Sequence, residues 1–183
     1  MSAKLGVLAS GAGSNLQALL DDGLPVVAVA SDVPGARALE RARERGIPTA
    51  AFPAVSPHDR TARDAALARF FLGHGVTHVV CAGYMQILRP SFLDRFPGRV
   101  LNVHPALLPA FPGARAVEDA LAAGVATTGA TVHVVDEGVD TGPVLRQAEV
   151  PVHPGDTPET LRARIRDVEH RLLPAAVREV IAV

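Results

Sequence analysis

Leu5-Gly6-Val7-Leu8-Ala9-Ser10-Gly11-Ala12-Gly13-Ser14-Asn15-Leu16-Gln17-Ala18-Leu19-Leu20 is the stretch that decides the fold. Lys4 to Ala9 is a short apolar run ending in a glycine-rich turn, the pattern of a buried strand. Leu16, Leu19 and Leu20 then recur at helical spacing. Strand, glycine turn and helix in that order open a βαβ unit. They also aim backbone N–H groups and a helix N-terminus at one point, where a phosphate can be held. Gly11 and Gly13 let the backbone approach a ligand, while Ser14 and Asn15 add donors and can cap the helix. The loop lacks the Gly-Lys-Ser/Thr of a nucleotide-triphosphate loop and the third glycine of a dinucleotide fingerprint. A small phosphomonoester therefore suits it better than ATP or NAD. A tight turn with no ligand is the equal alternative at this point.

Working outward, the same alternation continues. Val26 to Ala30 is a strand, Ala36 to Arg45 a helix stopped by Gly46, and Thr49 to Phe52 a strand. Pro57 to Leu72 reads as a helix with Pro57 in its first turn and an apolar stripe of Ala62, Ala66 and Phe70 beside Leu67 and Phe71. Thr77 to Cys81 is the fourth strand. Such alternation implies right-handed crossovers and a parallel sheet. Pro90 to Phe96 is a short helix leading to a strand at Val100, and Ala114 to Ala123 a helix stopped by Gly124. Ala130 to Val135 and Val144 to Val150 then form an antiparallel hairpin around Asp136-Glu137-Gly138-Val139-Asp140-Thr141-Gly142-Pro143. Asp156-Thr157-Pro158-Glu159 starts a last helix, which Pro174 is expected to break or kink.

Three stretches carry chemistry beyond the glycine turn. Leu101-Asn102-Val103-His104-Pro105 ends an apolar strand in an amide and an imidazole. Alternation puts Asn102 and His104 on one side if the chain stays extended, and Pro105 favours that geometry for His104. Strand ends are where ligands bind in open α/β sheets, although a capping Asn and a satisfied surface His fit the same residues. Met85-Gln86-Ile87-Leu88 follows the fourth strand and serves either as the floor of an apolar pocket or as core. The turn after Val135 places three carboxylates, Asp136, Glu137 and Asp140, within five positions, and His133 heads toward it.

Composition bounds the rest. At 183 residues, 48% hydrophobic and 20% charged, the chain is one globular domain with room for a sizeable core. A net charge of -1 without a basic block argues against nucleic acid or an anionic membrane surface as partner. No apolar run spans a membrane, and the N-terminus enters a strand without a cleavable leader pattern, so a cytoplasmic location is expected. The single cysteine, Cys81, lies in an apolar run and reads as a buried, inert thiol. No Cys/His set has metal-like spacing, so no metal is expected.

Together these motifs resemble the phosphoribosylglycinamide formyltransferase family, the folate-dependent transformylases of purine synthesis. The resemblance covers nearly the whole chain. It rests on Gly11 to Gln17, Ala82 to Leu88, Asn102 to Pro109 and Asp136 to Pro143. It implies an α/β formyltransferase fold: a Rossmann-like, mostly parallel sheet with flanking helices and a C-terminal antiparallel hairpin. It implies one domain over residues 1–183, with a phosphate-binding half over about 1–100 and a folate and catalytic half over about 101–183. It implies Asn102, His104 and Asp140 as catalytic residues, with His133 as their support. Gly13, Ser14, Asn15 and Glu169 would hold glycinamide ribonucleotide. Arg60, Met85, Gln86, Ile87, Leu88, Asn102, Asp136, Glu137, Gly138, Val139 and Asp140 would surround the co-substrate 10-formyltetrahydrofolate. The partners implied are small molecules, and the protein a monomer or homodimer. The chain departs from the family at Gln86 and Ala110, where basic residues are frequent, at Ala106 for Ser and at Val117 for His. It also ends before the family's frequent C-terminal extension.

The residue types suit formyl transfer. A neutral amine attacks the formyl carbon, and negative charge gathers on the formyl oxygen. Asn102 offers an amide N–H and His104, as imidazolium, a charged one, each donor of this kind being worth ~2.7–4 kcal/mol. Asp140 would favour the charged imidazole and carry the amine proton, directly or through water, to the departing nitrogen. Two other enzymes use the same set. A methionyl-tRNA formyltransferase would need a second, basic domain. A formyltetrahydrofolate deformylase, with water as acceptor, normally carries an extra N-terminal regulatory domain. A phosphate-binding module without catalysis would leave Asn102, His104 and Asp140 unexplained.

Overall fold

In the computed structural model, which describes residues 2–55 and 58–182, the chain forms two compact units that divide after Leu101. The first begins with β1 (Leu5–Leu8), apolar and buried along its whole length, followed by α1 (Ser14–Asp21), β2 (Val26–Ser31), α2 (Arg37–Glu44), β3 (Thr49–Ala51), α3 (Arg60–Gly73), β4 (His78–Cys81) and α4 (Pro90–Leu93). β1 pairs in parallel with β2 on one side and β4 on the other, and β2 pairs in parallel with β3. β5 (Val100–His104) crosses into the second unit, which continues with α5 (Ala116–Ala122), β6 (Thr127–Val134), β7 (Val144–Pro151) and α6 (Pro158–Ile181). β6 and β7 pair antiparallel, Thr127 opposite Pro151. The class is the one the sequence implied, a mostly parallel α/β sheet with flanking helices and a C-terminal antiparallel hairpin. No helix of the described residues is long and apolar enough to cross a membrane.

The glycine turn is built as the sequence suggested, with one correction. The residue that caps α1 is Gly13, at φ 72°, and neither Ser14 nor Asn15 caps with its side chain. Both lie one step later, inside the first turn. Gly13 is required twice over. Its backbone is left-handed, and a Cβ there would sit 2.7 Å from the Cα of Ala38 in α2. The turn is held from α2, where Ala38 N donates to Gly11 O at 3.1 Å and Arg41 Nε to Ala12 O at 2.8 Å.

Two helix expectations change. α3 begins at Arg60, and Pro57 lies outside the described residues. Its buried face is Asp64, Leu67, Ala68 and Phe71 with Arg63, so the stripe sits one to two residues off the one expected, and Ala62 is exposed. An apolar count misses this because two charged residues hold core positions by pairing with each other. α6 runs unbroken through Pro174. A proline inside a helix costs about 3 kcal/mol. Here Leu173 and Val177 are fully buried beside it, and two such side chains contribute ~1.5–3 kcal/mol each. α6 packs Leu161 and Ile165 on Ala130 of β6, Val150 of β7 and Val117 of α5. Its start matches the sequence reading: Thr157 and Thr160 form a reciprocal capping box, and the Arg164 guanidinium holds the Asp156 carboxyl well below the usual range. Burial pushes the Cys81 thiol up to about 12, which leaves it inert at neutral pH.

Gly13→Ala is expected to cost about 1–3 kcal/mol of unfolding free energy in a urea titration, from backbone strain and the Ala38 overlap. A loss under about 0.5 kcal/mol would show that α2 yields freely at Ala38.

Candidate active site

The second unit gathers polar side chains from three separate segments. β5 remains extended to His104, so Asn102 and His104 lie two positions apart on one face. His104 is 4% exposed. After Pro105 the chain is pinned from the hairpin. Thr131 Oγ1 on β6 donates to Ala106 O at 2.7 Å and accepts from Leu108 N at 3.1 Å. Gln147 Nε2 on β7 donates to Leu108 O at 2.8 Å. The pinned loop carries Phe111, in a left-handed conformation at φ 52°, so that its carbonyl accepts from His104 Nε2 at 2.7 Å.

The acidic turn brings in the third segment. Asp136 Oδ1 accepts from Gly138 N at 3.0 Å and from Thr141 Oγ1 at 2.7 Å. A Cβ on Gly138 would overlap Thr141 Oγ1, which holds the turn, and one on Gly142 would overlap the backbone at Val134 O, so the turn closes as seen only with glycine at 142. Closure puts Asp140 in the left-handed region at φ 54° and sends its carboxylate inward. Asp140 Oδ2 lies 3.3 Å from His104 Nδ1 and accepts from Gly113 N at 2.8 Å. Asp140 Oδ1 lies 3.5 Å from Asn102 Nδ2 and 3.4 Å from His133 Nε2. Asn102 Nδ2 also lies 3.2 Å from His133 Nε2. Phe111 and Asp140 are the non-glycine residues with positive φ among the described residues, and both face His104.

The electrostatics follow from these contacts. The His133 imidazole above all, then the Gly113 N–H and the charge on His104, hold the Asp140 carboxyl below its usual range against the opposing effect of burial. Asp140 is therefore an anion at neutral pH. Both nitrogens of His104 face acceptors, a carbonyl on Nε2 and a carboxylate on Nδ1. His133 Nδ1 donates to Val134 O at 3.0 Å. Its Nε2 then accepts from Asn102 when neutral or donates to Asp140 when protonated. The cluster is two imidazoles beside an anion with an amide donor alongside, a set that can hold an oxyanion and move a proton. Among the described residues no trio of His, Cys, Asp or Glu is arranged to hold a metal ion.

The remaining expected site residues are placed as follows. Gly13, Ser14 and Asn15 lie at the N-terminus of α1, where the first N–H groups of a helix have no intrahelical partner. Arg60 is the first residue of α3, its Nε buried without a hydrogen bond. Met85 to Leu88 follow β4, with Met85 and Ile87 exposed and Leu88 buried. Glu137, Gly138 and Val139 are exposed on the acidic turn, and Glu169 is half-buried on α6. Asp136 turns its carboxylate into its own loop. The sequence reading missed Phe111 and Gly113, which act through backbone atoms that no side-chain pattern reveals. It also missed Arg63 and Asp64. Their signal was present, since Asp64 is three, four and seven positions before Leu67, Ala68 and Phe71.

Residues 3–177 match the formyl transferase family. The phosphoribosylglycinamide formyltransferase of Mycobacterium tuberculosis is 52% identical over 180 residues, which cover 96% of this chain and 83% of that one. That of Bacillus subtilis is 38% identical over 185 residues, covering 97% and 94%. The crystal structure of phosphoribosylglycinamide formyltransferase from Streptococcus pneumoniae matches with a TM-score of 0.92 at 43% identity, covering 97% of this chain and 98% of that one. On the sequence match and the shared fold together, the chain belongs to the formyl transferase family.

Proposed function

We infer that the chain transfers the formyl group of 10-formyltetrahydrofolate to the amine of glycinamide ribonucleotide, giving formylglycinamide ribonucleotide and tetrahydrofolate in purine (IMP) biosynthesis. The observation that carries the chemistry is the convergence of Asn102 and His104, both on β5, with Asp140 from the acidic turn. The likeness to phosphoribosylglycinamide formyltransferases over 96% of the chain supports the acceptor.

In this reading the neutral amine forms a bond to the formyl carbon, and the formyl oxygen takes the negative charge. Asn102 Nδ2 and the Nδ1–H of His104 donate to that oxygen. Phe111 O holds the opposite edge of the ring, so the imidazolium stays oriented while its other N–H is shared between Asp140 and the oxyanion. Asp140 accepts the proton that leaves the amine, directly or through water, and delivers it to N10 as the carbon–nitrogen bond to the folate breaks. The tetrahedral carbon collapses to the formamide, with no covalent enzyme intermediate. Gly13, Ser14 and Asn15 take the ribose phosphate on the α1 terminus and Glu169 contacts the same substrate. Arg60, Met85 to Leu88 and residues 136–140 contact the folate. We place the reaction in the cytoplasm, in a monomer or homodimer acting on two small molecules.

Folate spectroscopy on a mixture of protein, 10-formyltetrahydrofolate and glycinamide ribonucleotide tests the reading. Turnover is expected only with the amine present, and formate release without it would make the chain a hydrolase. Asp140→Asn is expected to lower kcat by about 100-fold or more, with near-normal KM for both substrates. Turnover near wild type would remove Asp140 from the chemistry. Asn15→Ala is expected to raise KM for the phosphorylated amine with little change in kcat, and an unchanged KM would relocate the phosphate site. The depressed Asp140 carboxyl has a sign in stability as well. Its ionised form is favoured by folding, so its contribution is complete above the unfolded value of about 3.9 and is lost as pH falls through the lower folded value. In urea unfolding the advantage of wild type over Asp140→Asn should be level near neutrality and shrink on acidification below about pH 4. An advantage that grows on acidification would contradict the sign.

A further inference from the structure

The first unit holds a buried polar chain that the reaction scheme leaves without a task. Arg63 is 7% exposed and Asp64 fully buried. Arg63 Nε and Nη2 donate to Asp64 Oδ1 at 2.9 and 2.8 Å, and Arg63 Nη1 donates to Gln86 Oε1 at 3.2 Å. Gln86 Nε2 donates to Asp32 Oδ2 at 3.0 Å. Asp32 Oδ1 accepts from Ser10 Oγ at 2.5 Å, and Ser10 Oγ accepts from Met85 N at 2.8 Å. Asp64 Oδ2 accepts from Arg89 N at 2.8 Å. One connected set of side chains from the end of β1, the end of β2 and α3 thus grips the segment after β4 at Met85, Gln86 and Arg89.

A buried ion pair contributes little net stability, because desolvating both charges offsets their attraction. The geometry here points to another use. The Gln86 amide lies between a cation and an anion, oxygen toward Arg63 and nitrogen toward Asp32, and the reverse orientation would set donor against donor and acceptor against acceptor. That fixes side chain 86 inward, and Leu88, two positions on, is buried. Met85 and Ile87 are left 68% and 54% exposed. Burying side chains of this size is worth ~1.5–3 kcal/mol each, so an untethered segment would fold them in.

We propose that the Ser10–Asp32–Gln86–Arg63–Asp64 chain is a positioning device that holds Met85 and Ile87 outward as a contact surface for the formyl donor. The proposal rests on the reading of residues 85–88 as folate-binding. Asp32, Arg63 and Asp64 act through the segment and touch no substrate.

Steady-state kinetics of the full chain with both substrates test it. Gln86→Glu sets a carboxylate against Asp32 across the 3.0 Å now bridged by the amide. It is expected to raise KM for 10-formyltetrahydrofolate about tenfold while KM for the amine moves less than about twofold. The double variant Asp32→Asn with Gln86→Glu moves the negative charge along the chain and restores every pairing. The amide introduced at position 32 would donate to the carboxylate introduced at position 86 and accept from Ser10, and that carboxylate would accept from Arg63. The double variant's donor KM should return to within about threefold of wild type. A donor KM unmoved by Gln86→Glu, or a double variant no better than that single one, overturns the proposal. So does an equal rise in both KM values, which is the mark of general disorder. Should Gln86→Glu not fold, the double variant must fold and bind the donor near normally, or the proposal fails. Ile87→Ala separates the two readings. If it raises donor KM and Gln86→Glu does not, only the positioning role is lost. If it leaves donor KM unchanged, the assignment of 85–88 to the folate falls.

Discussion

The Asp140 carboxylate is the constraint on which the second unit turns. It meets His104, Asn102, His133 and the Gly113 N–H within 2.8–3.5 Å, so four groups from three places in the chain depend on where one side chain ends. Holding it there requires Asp140 itself to adopt a left-handed backbone, and Phe111 does the same to reach the other edge of His104. Each such residue costs about 1–3 kcal/mol. Hydrogen bonds to charged groups contribute ~1.5–3 kcal/mol each, enough to offset it. The cost is a local matter of φ, whereas the gain exists only when the hairpin and the loop after β5 are both folded. The site therefore assembles with the unit that bears it.

The two polar clusters of the protein differ in how fully their donors and acceptors are matched. In the Asp140 cluster, an anion, two imidazoles and an amide retain hydrogen-bonding capacity, as the long 3.3–3.5 Å contacts of Asp140 to His104 and Asn102 indicate. In the Arg63 chain the bonds run from 2.5 to 3.2 Å, and every group is matched in polarity by its neighbour. A saturated network rigidifies, and an unsaturated one is available for chemistry. Each contrast is internal to its own unit and follows from the number of donors and acceptors brought together.

Much of this could be read in the chain itself. The glycine turn, the Asn102–His104 pair and the acidic turn all announce themselves as breaks in apolar periodicity, and the capping box at Thr157 is local by nature. Local rules fail where a tertiary partner overrides them. Arg63 and Asp64 occupy core positions because they neutralise each other. Pro174 stays helical because its neighbours Leu173 and Val177 are buried. Gly13, rather than Ser14 or Asn15, caps α1 because α2 passes so close that no Cβ fits.

Short-range properties of the polypeptide determined the class of the fold, the position of each turn and the identity of the polar residues at strand ends, since periodicity, glycine and proline act within a few bonds. Long-range closure alone decided that Asp140 faces His104, that a main-chain carbonyl at Phe111 orients the ring, and that Gln86 bridges Arg63 to Asp32. Those contacts join residues seven to 54 positions apart. Their energies depend on distances of a few tenths of an ångström, which linear order does not encode and folded packing does.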